Sequence, residues 1–248
     1  MARTRRSHLL PNLGSMHEFK QQLESPRYFS LTAIHGQTFF HGSIGTTEEE
    51  GITLVFVTPH VKKTSTEFFI DGTFNAAPRF GGQCQQLFVL MGVSYDVVRF
   101  SLVYALMSRK TEQAYKALFI YIKSIEPTWQ PTTVMTDFER ASINAVHSVF
   151  PTTKIVGCWF HLSQCIWRTI QELGLTNLYR ENRKVHGFFR MVMENTLLPN
   201  QKLDEGFDVV RRMYHSTIKH FIGLSENQNI NEFLEYYRRT WLTGNFKI

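Results

Sequence analysis

TEQAYKALFIYIKSIEPTWQPTTVMTDFERASINAVHSVFPTTKIVGC, residues 111–158, changes its hydrophobic period element by element. Ala114, Leu118, Ile122 and Ile125 recur at helical spacing, Thr111 stands where an N-cap belongs, and Pro127 ends the run. TTVMTD, Thr132 to Asp137, reads as a strand, and ERASINAVHSVF as a helix with Ala145, Val146, Val149 and Phe150 inward. TKIVGC then reads as another short strand. Helix, strand, helix, strand is the pattern of a sheet with helices on its faces.

Upstream the pattern is β. GQTFFHGSIGTTEEEGITLVFVT, residues 36–58, contains two β-rich runs separated by a turn-rich acidic linker, which predicts a hairpin. TEFFID, Thr66 to Asp71, reads as a strand ending at Asp71-Gly72. QLFVLMGV and VVRFSLVYALM flank Ser94-Tyr95-Asp96 like two long antiparallel strands. Both are apolar on both faces, so they belong at the centre of a covered sheet. The fold class is therefore α/β, a mixed sheet with three antiparallel strands followed by alternating helix and strand. Downstream of Cys158 the β pattern stops. Leu162, Ile166, Ile170 and Leu173 keep helical period up to Gly174, a C-cap residue, and Asn229 to Leu242 places Ile230, Phe233, Leu234, Tyr237 and Trp241 on one face.

Composition narrows the class. The chain has 248 residues, 43% hydrophobic and 19% charged, which suits a folded protein with a substantial core and excludes disorder. Cys84, Cys158 and Cys165 have no framework spacing, which argues for a reducing intracellular compartment. Leu87 to Val93 is the longest apolar stretch and is too short for a bilayer, and the N-terminus lacks the apolar core of a secretory signal. The net charge of +6 is concentrated in residues 1–20, with Arg3, Arg5, Arg6 and Lys20 against Glu18, and between Arg180 and His220. Such clusters suit a polyanionic partner, although a solvated tail and a mixed-charge helical surface would give the same counts. Phosphate-loop, dinucleotide, zinc-protease and zinc-deaminase motifs are missing from the sequence.

Two aspartates each close an apolar strand: Asp71 after Phe68-Phe69-Ile70, and Asp137 after Val134-Met135-Thr136. If those strands are neighbours, the carboxylates meet at one sheet edge, where ligands of open parallel sheets gather. Hard divalent ions bind through one or two carboxylates plus water and substrate phosphate, so the pair would suit metal-dependent phosphoryl transfer. Local sequence allows other roles. Asp71-Gly72 fits a tight turn, and Thr136-Asp-Phe-Glu139 fits a helix capping box.

The residues resemble the Mutator-like element (MULE) transposase domain, a DDE-superfamily transposase with a ribonuclease H-like fold. The resemblance rests on FFIDGTFNAAPRF (Phe68 to Phe80), QLFVLMGV, VYALMSRKTEQAY (Val103 to Tyr115), VMTDFERASINAV (Val134 to Val146) and GCWFHLSQCIWRTIQELGL (Gly157 to Leu175). It implies that Asp71 and Asp137 are the first two acids of a catalytic triad. They would hold two Mg²⁺ or Mn²⁺ ions for cleavage and transfer of DNA strands, at transposon ends and target, in the nucleus. It implies this layout: a basic arm at 1–20, a lead-in with the hairpin at 21–65, the ribonuclease H-like catalytic half at 66–158, and an all-α insertion at 159–248. A homo-oligomer is compatible with it, and a membrane partner is not.

The pattern departs from the family in places. The third acid, a helical Glu, is expected downstream of EFLEYYRRTWL, and the chain stops at Ile248. Helical phase reads Glu232 and Glu235 as solvated surface. The alternative function is accordingly a catalytically inactive nucleic-acid-binding or scaffold remnant. Cys158 and His161 match the family's CxxH; with Cys165 they make three soft ligands where structural zinc wants four. Burial of Cys158 as a small hydrophobe, with His161 as a polar residue at the helix start, is the plainer reading.

Overall fold

The computed structural model describes residues 14–28, 32–34, 36–59, 66–94 and 98–243. Arg3, Arg5 and Arg6 of the basic arm lie outside the described residues, as does most of the turn at residues 94–96. The chain divides into two compact units between Val156 and Gly157.

The first unit is built on a seven-stranded sheet. In chain order its strands are β3 (Phe40–Ile44), β4 (Thr53–Val57), β5 (Glu67–Thr73), β6 (Gln86–Ser94), β7 (Val98–Met107), β8 (Thr133–Thr136) and β9 (Lys154–Gly157). A separate two-residue ribbon, β1 (Ala33–Ile34) with β2 (Gln37–Thr38), precedes them. The strand order is β3-β4-β7-β6-β5-β8-β9. The β5, β6 and β7 meander is antiparallel, and β8 joins β5 in parallel, as a helical crossover requires. The predicted hairpin is β3–β4, and it extends the main sheet because β4 pairs with β7.

The two long strands read as central are central, and helices cover them. Helix α1 (Met16–Glu24) packs Met16 and Leu23 with Phe40, Leu54, Phe56 and Leu106. Helices α2 (Glu112–Ile125) and α3 (Arg140–Val149) pack Leu118, Phe119, Ile122, Ala145 and Val146 with Phe68, Ile70, Phe88, Leu90 and Val134. Burying a large apolar side chain is worth roughly 1.5–3 kcal/mol, so this face supplies much of the unit's stability. Trp129 lies against Phe150, ring centres 4.8 Å apart at 77°, and edge-on to Phe68 at 5.6 Å. Thr111 caps α2 as expected, its Oγ1 accepting the Ala114 N–H at 3.1 Å.

The second unit is helical: α4 (Trp159–Glu172), α5 (Thr176–Glu181), α6 (Arg183–Asn195), α7 (Leu203–Met213) and α8 (Leu224–Tyr237). Gly174, at φ +67°, lies just past α4 in the left-handed conformation that glycine adopts cheaply. The face foreseen for the last helix is buried at Ile230, Phe233, Leu234, Tyr237 and Trp241. Its start is earlier, at Leu224, and its final turn, Arg238–Leu242, is π-helical, with the Thr243 N–H bonded to the Arg238 carbonyl. A π turn also ends α7, at Tyr214–Ile218. Such turns leave no residue-type pattern that periodicity can detect.

Candidate active site

Register brings the two aspartates together. Glu67, Phe68 and Phe69 of β5 pair with Thr133, Val134 and Met135 of β8. The same parallel register carried two residues onward sets Asp71 beside Asp137. Both line one small cleft at the carboxyl ends of these strands, together with Gly72, Tyr115, Thr136, Glu139 and Ser142.

Neither local alternative holds. Asp71 and Gly72 are not a turn: they pair with Val89 and Phe88 inside β5, which runs on to Thr73. Thr136 does not open a capping box either. It is the last residue of β8, and its Oγ1 lies 3.4 Å from Asp137 Oδ1 and 3.3 Å from Ser142 Oγ. Helix α3 starts at Arg140, with Glu139 in the cap position. Asp137 does support that entry, because its Oδ1 accepts the Glu139 N–H at 3.0 Å, a local turn bond that also orients the carboxylate.

Local sequence does not mark Glu139 and Tyr115, which line the cleft, or Gln86, which bonds to Tyr115 from beneath it, as site residues. The antiparallel pairing of Gln86 with Met107 places Gln86 at the same sheet edge as the end of β5. Five residues after Met107 the chain enters α2 at Glu112, and the first turn brings Tyr115 there. Gln86 Nε2 donates to the Tyr115 hydroxyl at 2.7 Å, and that hydroxyl donates to Glu139 Oε2 at 2.8 Å. Burial pushes the Glu139 carboxyl up, against the Tyr115 hydrogen bond and the Lys110 charge that pull it down, and Asp137 pushes it further up. Tyr115 is raised strongly, by burial first and by the Glu139 charge second, so its proton stays on the phenol. Lys110 Nζ also sits 4.3 Å from the centre of the Phe74 ring, which is 53% exposed.

The CxxH residues belong to the helical unit. Cys158 precedes α4 without a side-chain capping bond and is half-buried, not buried as its reading as a small hydrophobe expects. His161 lies in the first turn, its ring 5.6 Å from that of Phe160. Among the described residues no group of three His, Cys, Asp or Glu side chains is arranged to hold a metal. Glu232 and Glu235 are exposed on α8, in line with their solvated reading. Among the described residues no helix is long and apolar enough to cross a membrane.

A mixed sheet with Asp71 inside β5 beside Asp137, which directly follows β8, defines the class: an α/β domain with an acidic cleft at the carboxyl edge of parallel strands. Residues 68–165, from the strand bearing Asp71 to midway along the first helix of the second unit, match the family model of the MULE transposase domain. No curated protein matches the chain significantly.

Proposed function

We propose that the cleft at Asp71 and Asp137 is a divalent-metal site for cleavage and transfer of DNA phosphodiesters, in a transposase or a protein derived from one. The observation that carries this reading is the parallel β5–β8 pairing, which delivers both carboxylates to one edge. The order β7-β6-β5-β8-β9 supports a ribonuclease H-like core, with residues 66–158 as its catalytic half and the helices from 159 onward as an insertion.

The donor set fits Mg²⁺ or Mn²⁺: two carboxylates on adjacent strands, with room in the coordination sphere for water and phosphate oxygens. When bound, such ions lower the pKa of an attacking water or hydroxyl and stabilise the leaving oxygen. The chain's own residues do the rest. The Glu139 N–H orients the Asp137 carboxylate. Lys110 and the exposed Phe74 ring offer a cation and an aromatic face together, the combination that holds single-stranded nucleic acid by phosphate contact and base stacking. DNA as partner and the nucleus as location follow from this reading.

The test is nicking of supercoiled DNA with Mn²⁺ and with chelator, alongside Mn²⁺ binding followed by electron paramagnetic resonance. Asp71→Asn and Asp137→Asn should each abolish both signals; metal-dependent nicking retained by either variant overturns the assignment. A second reading, a nucleic-acid-binding remnant without cleavage, is favoured by the limit of two carboxylates unengaged by Tyr115 in the cleft. Mn²⁺-independent DNA binding without nicking would select it.

A further inference from the structure

Gln86 is fully buried, at 0% exposure, yet it is a polar residue at the edge of an otherwise apolar strand. Its amide group spans the space beneath the acidic cleft. Nε2 donates to the Tyr115 hydroxyl, while Oε1 meets no hydrogen-bond donor among the described residues. That oxygen faces Gly72, the neighbour of Asp71, and a Cβ on Gly72 would stand only 2.3 Å from it. A buried acceptor without a donor costs about 1–3 kcal/mol, so an apolar side chain here would stabilise the fold better. The amide therefore needs a reason outside folding.

Its partners supply one. Tyr115 is buried against Phe88, ring centres 5.7 Å apart, so its hydroxyl has a set position. With Gln86 donating to it, that hydroxyl must send its own proton to Glu139, as the 2.8 Å bond records. The hydrogen-bond direction is thus fixed from the buried end, and Glu139 is held as an acceptor beside Asp137. Glu139 in turn fixes Asp137, through its backbone N–H on Oδ1.

We propose that Gln86 and Tyr115 are positioning residues of the acidic cleft: a buried Gln86–Tyr115–Glu139 chain that holds the segment Asp137–Glu139 in the geometry needed to bind a divalent cation with Asp71. This rests on the metal-site reading above. Outer partners that orient carboxylate ligands commonly change metal affinity by roughly 10–100-fold.

The experiment titrates Mn²⁺ into the full chain and reads the bound-ion electron paramagnetic resonance spectrum, with thermal unfolding measured in parallel. Tyr115→Phe keeps the ring and removes the hydroxyl, and Gln86→Leu replaces the amide with an apolar side chain of similar size. Each should weaken Mn²⁺ binding about 10–100-fold and broaden the spectrum. Thermal stability without metal should stay level or rise in Gln86→Leu. Combining Tyr115→Phe with Glu139→Gln should weaken binding no more than the stronger single change, because the residues act as one chain. Unchanged Mn²⁺ affinity and spectrum in Tyr115→Phe and Gln86→Leu overturn this proposal while leaving the metal site standing. Failure of the unsubstituted chain to bind Mn²⁺ overturns both. If Gln86→Leu does not fold, Tyr115→Phe decides the matter.

Discussion

At Gly72 the missing side chain matters more than any conformational freedom, because the space a Cβ would take belongs to the buried Gln86 amide. Gly72→Ala must push that amide away within a packed edge, at a cost of about 1–3 kcal/mol. A denaturant titration should show the loss; a midpoint equal to that of the unsubstituted chain would mean that the amide moves freely. The aspartates on either side of this story were legible from their position after apolar runs, since an acid that closes a hydrophobic strand stands out in one dimension. Glu139 and Tyr115 were not. Glu139 looked like a capping residue, and Tyr115 sits one position off the helical face marked by Ala114, Leu118 and Ile122. Nothing local links a glutamine, a tyrosine and a glutamate at positions 86, 115 and 139.

Elements followed their patterns where the pattern was long. The α2 helix begins at its Thr111 cap, the β5–β6–β7 meander is antiparallel, and the crossover strand β8 is parallel to β5. The hairpin β3–β4 was also visible, but its place was not. Which edge of a sheet a hairpin joins depends on the apolar surface of both partners, and β4, buried along its whole length, requires a neighbour on each side. His41 in β3 gives this edge a pH dependence. Burial lowers the His41 pKa, and the weaker hydrogen bond that its ring donates to the Thr38 backbone opposes it. The unfolded chain therefore binds the proton more readily than the folded one. The stability His41 contributes is complete above its ordinary range near pH 6.5 and is lost as pH falls below it. The protection of β3 amides, after correction for the pH dependence of intrinsic exchange, should fall between about pH 7.5 and pH 5.5, and His41→Gln should flatten that response; an equal fall in the variant would assign it elsewhere.

For the whole molecule, two compact units with separate apolar clusters imply two centres of stability. Trp129 anchors the first, among Phe68, Phe119 and Phe150; Trp241 is buried in the second. Replacing either with Ala should cost about 3–5 kcal/mol. Hydrogen exchange in the full chain should report Trp129→Ala in β5 and β6, and Trp241→Ala in α6 and α8. Uniform acceleration along the chain in both variants would show one cooperative body instead.

Periodicity and strand-end chemistry were enough to read an α/β sheet followed by helices and to single out Asp71 and Asp137, because both depend on neighbours within a few residues. Register did what local sequence could not. It discarded a turn at Asp71-Gly72, set the two acids side by side, and carried Gln86 and Tyr115 beneath them. Hydrogen bonds between strands and helices distant in the chain are chosen by packing of the entire sheet, and no short window of residues contains that choice.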